Sequence, residues 1–274
     1  MARFETSDGL SLHYTDEGDG LPILCLSGLT RTTADFDYVT PHLAGHRLIK
    51  MDYRGRGQSD FDPDWKNYVL PVECRDVLEL LAHLSLDKVA ILGTSRGGLN
   101  AMGLAMGAKD RLLGVALNDI GPELDTRGLE VIMGYLGRNP TAKTHAEAAA
   151  AMPRFFPEFS AVPDSRWREE AAKHYTQTDK GLQITYDKHL RDAVAMAGAD
   201  GAPDLWPFFD ALAGLPLCCI QGANSNLLSD ATVAEMRRRR PDMVLGVVPG
   251  RGHIPFLDEP EAVAALKTWL ELMT

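Results

Sequence analysis

The serine in ILGTSRGG, at 91–98, has the surroundings of a nucleophile. The residues at 93–97 form a G-x-S-x-G pattern directly after an apolar run and directly before a helical pattern. The flanking glycines permit a tight strand-to-helix turn that exposes the Ser95 hydroxyl at the carboxyl end of the strand. The backbone N–H groups that follow converge there and can stabilise an oxyanion. The pattern therefore predicts acyl-transfer chemistry at Ser95.

A serine hydroxyl is a weak nucleophile and needs a neighbouring base, which is normally histidine. Of the eight histidines, His253 is the one that follows a late strand-like run, in the stretch PGRGH. In a parallel sheet this position lies at the same edge as Ser95. Among the others, His83 falls in a helical pattern and His13 in an edge strand, where structural or solvent-facing roles are expected. The same roles are expected of the inserted histidines, which are the only others kept as candidate substrate contacts: His145, His174 and His189. His253 is therefore the predicted base.

The elements that must position these residues alternate between strands and helices. Compact apolar runs predict buried parallel strands, and two shorter segments at the N-terminus predict an antiparallel edge. Helical patterns, such as the one at 71–84, separate several of these runs. The predicted fold is α/β, with a doubly wound, mostly parallel sheet of about eight strands. The predicted buried strands are 22–28, 46–52, 88–93, 112–119, 215–222 and 243–250.

A long segment without a strand-like pattern separates the predicted strands at 112–119 and 215–222, which are the sixth and seventh when the two N-terminal strands are counted. It is rich in Ala, Met and charged residues and interrupted by prolines, so we expect short helices and no strand there. The predicted organisation is a core of 1–121 and 213–274 with a helical cap at 122–212, inserted within one domain. The aromatic residues Phe155, Phe156 and Trp206 are candidate substrate contacts, although such patterns also serve to hold helices together.

Composition narrows the range of partners. The formal net charge of −10 argues against general binding to nucleic acids or anionic membranes, which leaves small molecules as the expected partners. No apolar stretch has the length of a transmembrane helix or the form of a signal peptide, so a cytoplasmic location is expected. The four cysteines have no metal-ligand spacing and are expected to be buried thiols. The sequence gives no basis for predicting an oligomeric state.

Four motifs together resemble the α/β-hydrolase fold superfamily, and the resemblance extends over essentially the whole chain. They are CLSGLTR at 25–31, MDYRGRGQSD at 51–60, GTSRGG at 93–98 and PGRGH at 249–253. The resemblance implies that Ser95 is the nucleophile and His253 the base. It also implies that the backbone N–H groups of Leu29 and Arg96 form the oxyanion hole. No metal or organic cofactor is implied.

The position of the triad acid departs from the family pattern. By resemblance it should lie in QGANSNLLS, at 221–229, where Asn226 is the closest match. An amide lacks the charge that stabilises the imidazolium and can favour the wrong tautomer. The alternative acid is Asp119, at the end of the strand that follows the nucleophile strand; it could equally serve to form the turn at Gly121. Asp230 is a weaker candidate, because a carboxylate in the first turn of a helix has a local reason to be there.

The sequence therefore predicts a serine hydrolase that cleaves carboxylic esters or related acyl substrates through an acyl-serine, impaired if Asn226 occupies the acid position. Carbon–carbon bond hydrolysis of a diketone, with the same serine and histidine, is an alternative. A small-ligand receptor without turnover is an alternative of another class, and Asn226 is its sole support. Haloalkane dehalogenation is disfavoured, because it requires a carboxylate nucleophile where this chain has Ser95.

Overall fold

The structure, a computed structural model, describes residues 2–199 and 203–273. Within these ranges the chain forms ten β-strands, numbered in chain order. They are β1 (Ala2–Glu5), β2 (Ser11–Glu17), β3 (Pro22–Leu26), β4 (Arg47–Met51), β5 (Val89–Thr94), β6 (Leu112–Asn118), β7 (Tyr175–Thr178), β8 (Gly181–Ile184), β9 (Leu217–Gly222) and β10 (Val244–Val248).

The same part of the chain contains nine α-helices and four short 3₁₀ helices. The α-helices are α1 (Leu70–His83), α2 (Arg96–Gly107), α3 (Thr126–Tyr135), α4 (His145–Phe155), α5 (Asp164–His174), α6 (Leu190–Ala197), α7 (Trp206–Asp210), α8 (Asp230–Arg239) and α9 (Pro260–Glu271). The 3₁₀ helices are Thr33–Phe36, Thr40–Leu43, Trp65–Asn67 and Lys109–Arg111. Among the described residues, no helix combines the length and apolar character needed to cross a membrane.

Eight strands form the main sheet in the order β1-β2-β4-β3-β5-β6-β9-β10. β2 pairs antiparallel with β1 and with β4, whereas every later pairing in the sheet is parallel. The prediction of a mostly parallel sheet of about eight strands is confirmed. Thr94 pairs with Asn118, and Asn118 pairs with Ile220, so β5, β6 and β9 end side by side at one sheet edge.

Both faces of the sheet are buried, which explains why the central strands are apolar without interruption. Along β3, Leu24 packs in the layer covered by α1 and α2, whereas Cys25 packs in the opposite layer with α9. The adjacent Cys218 and Cys219 divide between the same two layers, as the two-residue period of a strand requires. All four cysteines are free.

The segment between β6 and β9 contains α3 to α7, and the prediction that it would hold no strand was wrong. β7 and β8 form an antiparallel hairpin within it. Tyr175–Thr178 contains aromatic and β-branched residues, which have high strand propensity. Gly181, the first residue of β8, has φ 115°, an angle that glycine adopts without steric cost. Residues 200–202 of the predicted cap lie outside the described residues. The division at 122 and 212 stays a prediction.

Candidate active site

Ser95 occupies the sharp turn between β5 and α2. Its backbone has φ 49° and ψ −112°, in a region that residues with a side chain rarely adopt. The turn requires glycine on both sides of the serine. A Cβ at Gly97 would collide with the Leu26 carbonyl, and one at Gly93 would lie 2.6 Å from the Gly97 carbonyl carbon. The G-x-S-x-G spacing thus reflects close packing of the backbone around a partly buried serine.

A chain of hydrogen bonds joins Ser95 to a buried carboxylate. His253, in the loop after β10, has Nε2 3.0 Å from Ser95 Oγ and Nδ1 2.8 Å from Asp119 Oδ2. Asp119 has no exposed surface. The two contacts determine the tautomer of the His253 imidazole. Its Nδ1–H donates to the carboxylate, so Nε2 is left as the acceptor for the serine hydroxyl proton. This arrangement can activate a serine for attack on a carbonyl carbon.

The carboxylate of Asp119 is fixed by further donors. The residue follows β6 with φ 53°, and Asp is one of the few residue types that tolerate this left-handed conformation. Its Oδ1 accepts the backbone N–H of Gly222 at 2.7 Å, and its Oδ2 accepts the Ser225 hydroxyl at 2.6 Å. The orientation of the carboxylate toward His253 is therefore determined by the strand end and by the loop after β9.

The structure does not bring Asn226 to the imidazole, in contrast to the expectation from the family pattern. The loop turns after Gly222, with Ser225 N–H donating to Gly222 O at 2.9 Å. This turn places Ser225 over Asp119, while the Asn226 amide donates outward to Glu158 Oε1 at 3.0 Å. The loop thus supplies a hydroxyl to a carboxylate on the neighbouring strand, a role for Ser225 that its residue type alone did not reveal.

The predicted oxyanion donors lie beside the serine. Leu29 falls in a turn closed by the Arg31 N–H and the Gly28 carbonyl at 3.1 Å, and Arg96 is the first residue of α2. A Cβ built on Gly28 would lie 3.8 Å from Ser95 Cβ, so this turn passes close to the nucleophile. Among the described hydrogen bonds, the N–H groups of Leu29 and Arg96 have no acceptor. Both are available to a substrate oxygen.

A buried Arg–Glu–Arg cluster connects Leu29 and Arg96, the two predicted oxyanion residues. The Arg56 guanidinium donates from Nε to the Leu29 carbonyl at 3.0 Å and places Nη2 2.9 Å from Glu73 Oε1. The other carboxylate oxygen of Glu73 accepts Arg96 Nε at 2.7 Å. Arg56 and Glu73 have no exposed side-chain surface. The sequence motif at 51–60 contains Arg56 but does not reveal this contact.

A cavity of about 550 Å³ opens above Ser95 and His253. Phe155 and Phe156 line it, and Phe155 lies at its rim with 70% of its surface exposed. Among the described residues, those that line the cavity do not include Trp206. Its ring instead packs 5.9 Å from that of Phe209 and under the Arg239 guanidinium, because α7 packs against the core and not over the cavity.

Comparisons with known proteins agree with the geometry. A model of the alpha/beta hydrolase family matches residues 23–266. A 3-hydroxybutyrate-oligomer hydrolase from Cupriavidus necator is 37% identical over 260 residues, which cover 92% of this chain and 88% of the relative. A solved alpha/beta hydrolase from Novosphingobium aromaticivorans is also 37% identical, with a TM-score of 0.91 over 98% of this chain and 97% of that chain. A solved E-2-(acetamidomethylene)succinate hydrolase, 23% identical, has a TM-score of 0.84 over 98% of both chains.

We expect Asp119→Asn to reduce turnover by about ten-thousandfold, because the amide removes the charge and favours the wrong imidazole tautomer. The matched change Asn226→Asp should leave turnover within a few-fold, since position 226 faces Glu158. Steady-state kinetics with one activated ester for both variants checks this. A large gain in Asn226→Asp with full activity in Asp119→Asn would restore position 226 as the acid site.

We expect Glu73→Gln to lower the free energy of unfolding by about 3–5 kcal/mol, because it leaves two arginines in a buried site without their anion. At temperatures where the variant is folded, kcat should fall while KM changes little, since the oxyanion donors act in the transition state. Denaturant unfolding and steady-state kinetics measure the two effects. Glu79→Gln, on the same helix in a partly exposed ion pair, should cost below about 1 kcal/mol. An equal loss in both variants would contradict this role.

The same cluster predicts a pH dependence. Burial would raise the pKa of Glu73, but Arg96 and Arg56 more than offset it and lower the value from 4.5 to about 2. A depressed folded-state pKa adds stability that is present above the unfolded value and is lost as pH falls toward the folded one. Between about pH 4.5 and 2, Glu73→Gln should therefore lose less stability than the parent protein. If the free energy of unfolding fell equally with pH in the parent protein and in Glu73→Gln, the assignment would be contradicted.

Proposed function

The chain belongs to the alpha/beta hydrolase family, and we propose that it is a serine hydrolase that cleaves carboxylic esters through an acyl-serine intermediate. The observation that carries the proposal is the hydrogen-bonded chain from Ser95 through His253 to Asp119, which opens onto a largely apolar cavity. Because a serine hydroxyl needs a base and the base needs orientation, this order of groups suits nucleophilic attack on an acyl carbon.

In the acylation step, Ser95 Oγ attacks the ester carbonyl carbon while its proton moves to His253 Nε2. The carbonyl oxygen becomes an oxyanion and accepts hydrogen bonds from the N–H groups of Leu29 and Arg96. Collapse of this intermediate breaks the bond to the leaving oxygen, which takes the proton from His253. Asp119 stabilises the imidazolium between these events and keeps the ring in one orientation.

Deacylation repeats the sequence with water in place of the serine. His253 removes a proton from the water molecule, whose oxygen attacks the acyl carbon. The second oxyanion accepts hydrogen bonds from the same pair of N–H donors. Its collapse breaks the bond between the acyl carbon and Ser95 Oγ, and that oxygen takes the proton from His253. The products are a carboxylic acid and an alcohol, and every step uses groups that this chain supplies.

The size and lining of the cavity support a small acyl substrate. A volume of about 550 Å³ falls within the usual range for sites that bind small molecules. The relative from Cupriavidus necator is named for hydrolysis of 3-hydroxybutyrate oligomers, and oligomers of a hydroxy acid are joined by ester bonds. We extend that bond class, but not the particular acid, to this chain. Diketone hydrolysis would use the same serine and histidine, and a panel of esters and diketones separates the two.

A receptor without turnover has less support than a hydrolase. That hypothesis depended on Asn226 at the acid position, whereas Asp119 is the carboxylate that contacts His253. A fluorophosphonate probe tests the proposal directly, because it labels a serine that is activated by a base. We expect stoichiometric labelling of Ser95. A folded protein that neither reacts with the probe nor cleaves any ester of the panel would contradict the proposed function.

Ser95→Ala and His253→Ala should each abolish measurable ester hydrolysis while the protein keeps its fold, because neither side chain belongs to the apolar core. Steady-state kinetics and circular dichroism measure the two properties. His42→Ala, at an exposed histidine of a 3₁₀ helix, is the control and should retain parent-like turnover. Parent-like turnover in Ser95→Ala would refute the nucleophile.

Phe155→Ala and Phe156→Ala should change the selectivity between short and long acyl esters by roughly tenfold, because each removes apolar surface from the cavity wall. The ratio of kcat/KM values for butyrate and octanoate esters measures the effect. Trp206→Phe is the matched aromatic control and should leave that ratio unchanged, since its ring packs against Phe209. Equal losses for every ester in the first two variants would indicate a purely structural role.

A further inference from the structure

Three polar side chains on one wall of the cavity take no part in the hydrolysis mechanism. We infer that Arg31, Glu170 and His174 form a subsite for a hydroxyl group on the acyl part of the substrate, which makes hydroxyacyl esters the preferred substrate class. This inference rests on the proposed ester hydrolysis and adds the chemical identity of the acyl group. All three residues line the cavity that contains Ser95.

Two carboxylates hold the Arg31 guanidinium in place, and its remaining N–H groups can donate to a ligand. Its Nε donates to Asp35 Oδ2 at 2.9 Å and its Nη2 to Glu170 Oε2 at 3.1 Å, with 16% of the side chain exposed. Nη1 has no hydrogen-bond partner among the described residues. Although burial lowers the pKa of Arg31, the two carboxylates more than offset it, so the guanidinium stays charged. The wall therefore presents oriented N–H groups.

Glu170 supplies an acceptor, and His174 supplies a further polar group. Both lie on α5, where His174 Nε2 is 3.5 Å from Glu170 Oε2, buried and without a hydrogen-bond partner among the described residues. Burial, together with Arg31 and Lys173, lowers the pKa of His174 well below its usual value, so the ring is neutral. A neutral imidazole has one acceptor nitrogen and one donor nitrogen. An unpartnered buried ring nitrogen is costly, so a ligand that satisfies it gains affinity.

The charge of the wall favours a hydroxyl over a carboxylate. The positive charge of Arg31 is already opposed by Asp35 and Glu170, and an anionic ligand would meet Glu170 as a like charge. A hydroxyl has both a proton to donate and lone pairs to accept. It can accept from Arg31 or from the Nε2–H of His174, and it can donate to Glu170. The wall thus matches a neutral group that is both donor and acceptor.

The position of Arg31 relates this wall to the reacting carbon. A Cβ built on Gly28 would lie 3.2 Å from Arg31 Cγ and 3.8 Å from Ser95 Cβ, so Gly28 lies between the arginine side chain and the nucleophile and close to both. The Arg31 guanidinium reaches from there to Glu170. A hydroxyl a few bonds from the scissile carbonyl is therefore the part of an acyl group best placed to meet the wall.

Two esters that differ by one hydroxyl test the inference on the parent protein. We expect kcat/KM for p-nitrophenyl 3-hydroxybutyrate to exceed that for p-nitrophenyl butyrate by roughly ten- to hundredfold, the worth of one or two hydrogen bonds to charged or buried groups. Equal rates for the two would overturn the subsite while leaving ester hydrolysis in place. Failure to cleave either ester would overturn the proposed function itself. A preference for p-nitrophenyl succinate over both would replace the hydroxyl site with an anion site.

Variants test whether the preference for the hydroxylated ester depends on the side chains of the proposed subsite. In His174→Phe, which keeps a ring but removes the nitrogens, the ratio of hydroxybutyrate to butyrate hydrolysis should fall by roughly tenfold or more. Arg168→Met is the matched control on the same helix, since Arg168 is exposed and does not line the cavity, and the ratio should not change. If His174→Phe does not fold, Glu170→Gln decides by the same ratio. A folded variant at 174 or 170 that keeps the parent ratio would refute the subsite.

Discussion

The parallel register of β5, β6 and β9 is the constraint on which the site depends. Thr94, Asn118 and Ile220 lie in line across the three strands, so each chain leaves the sheet at the same level. Ser95 and Asp119 are the next residues of the first two strands, and both adopt left-handed backbone angles that turn the chain sharply at the edge. A slip of one residue in this register would send a side chain to the opposite face and separate the hydroxyl from the carboxylate.

Buried charge gives the edge its rigidity. Arg56, Glu73 and Arg96 place three ionised groups beneath the nucleophile turn, which is costly unless each group is paired. Their geometry ties the Leu29 carbonyl to the first residue of α2, so the two predicted oxyanion donors are connected by side chains as well as by the sheet. Fixed donors need no reorganisation when charge develops on a substrate oxygen, which is where electrostatic catalysis gains most.

Sequence reasoning succeeded where the signal is local. The G-x-S-x-G turn and the histidine after a late strand are each readable from a few neighbouring residues, and the structure brings Ser95 and His253 within hydrogen-bond distance. The carboxylate was harder, because a loop of small polar residues does not tell which side chain turns toward a neighbouring strand. The structure turns Ser225 inward and Asn226 outward, and His253 pairs with Asp119.

The inserted segment was the least predictable part. Trp206 and Phe155 both occur in aromatic helical patterns, yet one packs on the core and the other lines the cavity, because the face that a helix buries depends on tertiary packing. The β7–β8 hairpin was missed although its Tyr and Thr residues favour a strand. The polar wall combines Arg31 from the first sheet-edge loop with two residues of α5, and a contact across 139 residues leaves no trace in a single sequence.

Rapid quenching of the reaction, followed by peptide mass spectrometry, tests the central claim most directly. During the first turnovers of p-nitrophenyl butyrate, the account predicts a butyryl group on the peptide that contains Ser95, formed as p-nitrophenolate is released and lost as water completes the cycle. Product formation with no acyl group on Ser95 at any quench time, or with the acyl group on another residue, would contradict it.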